Sequence, residues 1–114
     1  MEKYGDAIES LKQARSLDSS SAVIVTDLGL TLFQAKRLDE AKQAFLDALA
    51  LDPDTFDAHL NFGMLLQEQK NSEKARAHLR RAIEIRPDDL NGHNNLGVVL
   101  AEQERFEEAI TFYE

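Results

Sequence analysis

Three histidines, His59, His78 and His93, are the first residues of this sequence to test for chemistry, because imidazole nitrogens are common metal ligands. His59 and His93 lie 34 residues apart, at equivalent places in two helices expected to be neighbours. Neighbouring helices run roughly 8–10 Å apart, too far for both rings to reach one zinc at about 2.0 Å. Packing is therefore the expected role of these two, and a solvated site on another helix that of His78. Asp39-Glu40 and Glu107-Glu108 are adjacent acids of the kind used in general acid–base catalysis. Each pair is expected to open a helix, where carboxylates complement the positive end of the dipole, so a dipole and solubility role is the simpler reading. Ser19-Ser20-Ser21 has no His and Asp in an activating arrangement, and no glycine-rich phosphate loop occurs. With no cysteine there is no thiolate ligand, thiol nucleophile or disulfide. These residues point to no catalytic, metal or cofactor site.

The elements that would position such residues are repeats. Phe62-Gly63, Leu66, Ala75, Leu79, Ala82 and Pro87 recur 34 residues earlier as Leu28-Gly29, Leu32, Ala41, Phe45, Ala48 and Pro53, and 34 residues later as Leu96-Gly97, Leu100, Ala109 and Tyr113. A fixed period of this size signals a solenoid, in which each unit buries its apolar face against its neighbours. Gly29, Gly63 and Gly97 fall inside helical stretches, where glycine costs up to roughly 1 kcal/mol relative to alanine. The compensation expected is close approach of two backbones, with Gly29 facing Ala41 on the next helix.

This pattern resembles the tetratricopeptide repeat: a large apolar residue and glycine at positions seven and eight, alanine at twenty and twenty-seven, an aromatic or leucine at twenty-four, proline at thirty-two. Two departures stand out, Ser19 where Pro53 and Pro87 stand in later copies, and His59 and His93 at position four, often aromatic in the family. The resemblance implies an all-α, right-handed superhelix of about seven helices, alternating A and B. Residues 1–17 form a lone B helix, 22–55 and 56–89 complete repeats, and 90–114 a truncated one, with an A helix from Leu90 to about Gln103 and a B stub starting near Phe106. Apolar stripes at the ends (Tyr4, Ile8 and Leu11; Phe106, Ile110 and Tyr113) are expected to be partly uncovered, which suggests self-association.

The composition narrows the partners. The 114 residues are 43% hydrophobic and 30% charged, within the range of folded globular chains. A net charge of −8 argues against nucleic acid, whose phosphates reward clustered Lys and Arg. No run approaches the roughly 20 apolar residues of a membrane span. Met1-Glu2-Lys3 leads into a helical pattern rather than a signal-peptide segment, so the cytoplasm is the expected compartment.

A helix advances about 100° per residue, so positions two, six, nine and thirteen of each A helix lie opposite its packing stripe. These are Val23, Asp27, Leu30 and Gln34, then Asp57, Asn61, Met64 and Glu68, then Asn91, Asn95, Val98 and Glu102. The resemblance implies that this face lines a concave groove. Asp27, Asn61 and Asn95 make a column of short polar side chains, with Asn94 beside the last, and Leu30, Met64 and Val98 a parallel apolar column. Together they suit an extended peptide. The triplets Asn61-Phe62-Gly63 and Asn95-Leu96-Gly97 resemble repeats of the O-linked N-acetylglucosamine transferases, whose asparagine ladder holds substrate peptides; nothing resembles the transferase domain. All 13 basic residues fall outside the A helices as bounded here, so the groove is expected to be acidic. Chaperone-binding relatives carry a Lys, Arg and Asn clamp for a terminal carboxylate, but Thr26, Leu60, Asn94, Asp57, Asn91 and Asn95 occupy the matching basic positions. The expected function is non-catalytic capture of a neutral or basic internal peptide segment. The alternative is a structural spacer or self-associating scaffold segment of a larger protein.

Overall fold

Each hairpin is closed by a lysine in a conformation that lysine rarely adopts. In the computed structural model, which describes residues 3–113 and the side chains of 3–105 and 107, Lys36 and Lys70 have φ of 66° and 64°. Arg37 N–H donates to Leu32 O at 2.9 Å and Lys36 N–H to Phe33 O at 3.0 Å, and Asn71 and Lys70 repeat the pair with Leu66 and Gln67. These bonds satisfy carbonyls that the helix end would leave unpaired. The left-handed backbone costs a residue with a Cβ roughly 1–2 kcal/mol, so packing of the following helix must supply the difference.

Six helices result among the described residues: α1 Gly5–Leu17, α2 Ala22–Gln34, α3 Leu38–Leu51, α4 Phe56–Glu68, α5 Ser72–Ile85 and α6 Leu90–Tyr113, with no strand. Ser21 caps α2 by accepting from Ile24 N–H, and Asn71 caps α5 by accepting from Lys74 N–H. Asp52-Pro53 ends α3, with Asp52 Oδ1 accepting from Asp54 N–H to form the turn.

The helices stack in chain order, α2 paired with α3 and α4 with α5, and one continuous core runs from Ile8 to Val99. Ala41, Ala48, Ala75 and Ala82 have no exposed surface, as the repeat pattern requires. Glycine works differently from expectation. A Cβ at Gly29 would lie 2.8 Å from the Phe45 ring, and one at Gly63 2.7 Å from Leu79 Cγ, so each glycine makes room for the large residue at position twenty-four rather than for Ala41. Gly92 is a further buried glycine; its Cβ would lie 3.1 Å from Ile83 Cγ1. Ile8 is also fully buried, so the stripe on α1 is covered at its centre, with Tyr4 and Leu11 half-buried against the core.

Two expectations at the far end change. The break between Gln103 and Phe106 is absent, so six helices stand where about seven were expected, and Glu107-Glu108 sit inside α6 instead of opening a helix. Glu104 occupies the register of Lys36 and Lys70. Nothing in Glu102-Gln103-Glu104-Arg105 stops a helix, and of the three B-helix anchors only Ala109 and Tyr113 are present, the third falling beyond Glu114. The strained turn is therefore not compensated, and the helix propagates. A Cβ at Gly97 meets nothing within 4 Å. The side chains of Phe106, Ile110 and Tyr113 lie outside the described residues.

Candidate functional site: the face of helices α2, α4 and α6

Curvature follows from which helices touch. α2 meets α4 and α4 meets α6, whereas α1, α3 and α5 make no contact with one another among the described residues. The row that touches lies on the inside of the bend, so α2, α4 and α6 form the concave wall.

On that wall the structure brings Asp27 of α2 against Asp57 of α4. The Asp27 carboxyl is held above the usual carboxylate range, first by partial burial and then by the negative charge of Asp57. Asn61 and Asn95 are half-buried, and Asn61 Nδ2 donates to Asp57 O at 2.9 Å, which leaves its Oδ1 as the atom able to accept from a ligand. Met64 and Val98 are 37% and 50% exposed, as apolar side chains offered to a partner would be, whereas Leu30 is half-buried. Val23, Asn91 and Glu102 are exposed. Asn94 does not join the column: it shares the register of Thr26 and Leu60, which are buried, and is exposed where α6 ends the stack.

The wall is less uniformly acidic than expected. Lys36, in the turn after α2, reaches Glu68 at 3.4 Å, and Arg105 falls within the lengthened α6. Both partners of the Lys36–Glu68 pair are well exposed, so it offsets charge while contributing little to stability.

The histidines are structural, by a device that sequence reasoning missed. His59 Nε2 lies 2.7 Å from Pro53 O, and His93 Nε2 lies 2.7 Å from Pro87 O. Each ring therefore donates to the carbonyl of the proline six residues before it and ties the turn to the helix it starts. The signal was available: the copy with Ser19 in place of proline has Val25 in place of histidine. His78 is not solvated. It is half-buried, its Nδ1 is 3.1 Å from His59 Nδ1, and its ring lies 4.6 Å from that of Phe62. No group of three or more His, Asp or Glu able to hold a metal ion is found among the described residues, and no helix is long and apolar enough to cross a membrane.

Stacked helix hairpins with a concave row of first helices define an α-solenoid. The family model for the tetratricopeptide repeat matches residues 21–88 and 54–114, so the chain belongs to the tetratricopeptide repeat family. Among solved structures, the first tetratricopeptide domain of Spaghetti (RPAP3), bound to the HSP90 peptide SRMEEVD, is similar with a TM-score of 0.85 at 22% identity, over 90% of this chain and 81% of that one. The Arabidopsis OM64 domain gives 0.84 at 16% identity, over 88% and 83%. MamA gives 0.82 at 27% identity over 96% of this chain, which spans 60% of MamA. No curated protein matches the sequence significantly.

Proposed function

We propose that this chain is a non-catalytic interaction module that takes an extended, neutral or basic peptide segment along the wall of α2, α4 and α6. The observation that carries this reading is the Asp27–Asp57 pair on neighbouring helices of that wall, beside the exposed Met64 and Val98. Two carboxylates that repel one another are relieved by a cationic side chain between them, and apolar residues alongside accept the flanking groups. Asn61 and Asn95 stand where peptide amides would pass, as in the asparagine ladder of the O-linked N-acetylglucosamine transferases.

The family supports a protein partner, and the Spaghetti domain shows that a similar fold holds a peptide. That peptide, SRMEEVD, ends in acidic residues, which the acidic wall here would repel. The basic clamp positions hold Thr26, Leu60, Asn94, Asp57, Asn91 and Asn95, with Thr26 and Leu60 buried. A different class of segment is therefore favoured. The test is capture from a peptide array of neutral, basic and acidic segments, with Asn61→Ala/Asn95→Ala as control. Loss of capture with an unchanged Tm supports the reading. Capture that survives the double substitution, or that selects acidic tails, overturns it.

A further inference from the structure

Gly29 and Gly63 are buried beneath Phe45 and Leu79, but Gly97 in the same register is exposed and faces nothing within 4 Å. The difference extends along the helix. Leu28 and Phe62 at position seven, and Leu32 and Leu66 at position eleven, are buried, whereas Leu96 and Leu100 in α6 are only half-buried. α6 thus presents an apolar seat of Leu96, Gly97 and Leu100 that in the other repeats is covered by a second helix.

The residues that would cover it are encoded in this chain. Ala109 and Tyr113 stand in the register of Ala75 and Leu79, whose atoms lie closest to a Cβ at Gly63. They cannot reach Gly97 of their own copy, because one unbroken helix carries both positions away from it. The spacing makes exchange reciprocal. The contacts Gly29–Phe45 and Gly63–Leu79 are symmetric about Arg37 and Asn71, and the equivalent pair, Gly97 and Tyr113, is symmetric about Arg105. A two-fold axis beside Arg105 therefore lays two α6 helices antiparallel, each with the Tyr113 position over the other's Gly97. Both seats fill at once, and the assembly closes with no free end. At the axis Glu104 of each copy meets Arg105 of the other, so the charges there are complementary. We infer that two copies of this chain associate through α6, each seating its Ala109 and Tyr113 on Leu96, Gly97 and Leu100 of the other.

The inference stands independently of the peptide-binding reading, and it is tested by mass measurement in solution. Sedimentation equilibrium of the 114-residue chain is expected to give the mass of two chains at high concentration and of one on dilution. Glu104→Gly supplies glycine at the left-handed turn position, lets the segment fold back on its own α6, and halves the mass at the concentration where the parent is paired. Gly97→Leu fills the seat and should also halve the mass; circular dichroism should show unchanged helix content, since nothing in one copy opposes the added atoms. A parent chain with the mass of one copy at every concentration overturns the inference. So does a Gly97→Leu variant that stays paired, or an assembly that grows beyond two.

Discussion

His59 Nδ1 and His78 Nδ1 face each other at 3.1 Å across the α4–α5 contact, while His59 Nε2 is committed as a donor to Pro53 O. With that commitment, neutral His59 accepts at Nδ1 and His78 donates. The pair cannot hold a proton on both facing nitrogens. Burial, the nearness of His59 and the charge of Lys74 hold the His78 imidazolium form below the usual histidine range. An unfolded histidine titrates near about 6.5, so below that pH the unfolded chain binds a proton that the folded chain refuses. The stability contributed is complete above about pH 6.5 and is lost as pH falls from there toward the folded value of His78, by up to about 1.4 kcal/mol per pH unit. Urea unfolding at pH 7.5 and 5.5 measures the loss. His78→Phe, which keeps a ring beside Phe62, should flatten the profile; an unchanged profile would remove His78 as its source.

Equivalent glycines should respond with opposite signs. Gly63→Ala places a Cβ at 2.7 Å from Leu79 Cγ and 3.4 Å from Ala75 O. Overpacking of this kind typically costs about 1–3 kcal/mol. Gly97→Ala meets nothing, and at concentrations where the chain is a single copy it should stabilise by up to about 1 kcal/mol through helix propensity alone. Leu79→Ala by itself should cost about 2–5 kcal/mol. Adding Gly63→Ala to that variant should restore part of the loss, since the methyl then enters vacated space; a double-mutant cycle reads the coupling. Strict additivity would mean that Gly63 and Leu79 do not oppose one another.

The hairpin lysines offer a third test. Lys70→Gly relieves a left-handed backbone that costs a Cβ-bearing residue roughly 1–2 kcal/mol, while freeing the unfolded chain by about 0.5–1 kcal/mol. The net expectation is a gain of up to about 1 kcal/mol, read from the denaturant midpoint, with the same sign at Lys36. A loss at both positions would show that the lysine side chains contribute more than their backbone costs.

On the concave wall, Asp57→Asn removes the second cause of the raised Asp27 pKa and leaves the first, burial. NMR titration of Asp27 should therefore show its pKa moving down without reaching the ordinary aspartate value. In the peptide assay, Asp27→Asn with Asp57→Asn should weaken basic ligands and reduce the salt dependence of binding. A salt dependence equal to the parent's would place the ligand elsewhere.

Much of the fold was legible because a solenoid writes the same packing requirement several times. Ala41, Ala75 and their partners recur in register, and each is buried where the pattern places it. What escaped reading was set by contacts rather than by residue type. Lys36 and Lys70 carry no glycine or proline signal of a turn; their positive φ is imposed by the helices that follow. The same absence hid the continuity of α6, where Glu104 is left to its helical preference. His78 looked solvated because it lies in a strongly charged stretch, Lys74 to Arg81, whose buried side only the neighbouring Phe62 defines. The acidic residues of the wall were read correctly as exposed, but the closeness of Asp27 to Asp57 depends on how far successive repeats are rotated, and no single copy encodes that.

No helix of this chain meets another more than two places away along the sequence. Assembly consequently never waits for distant segments to find each other, and the search for the native topology shrinks to a series of local closures that can begin at any hairpin and finish quickly. The same wiring limits the reach of injury: a lesion in one hairpin is felt by the next and fades beyond it, so melting is expected to creep inward from the ends while the middle pair, α4 and α5, yields last.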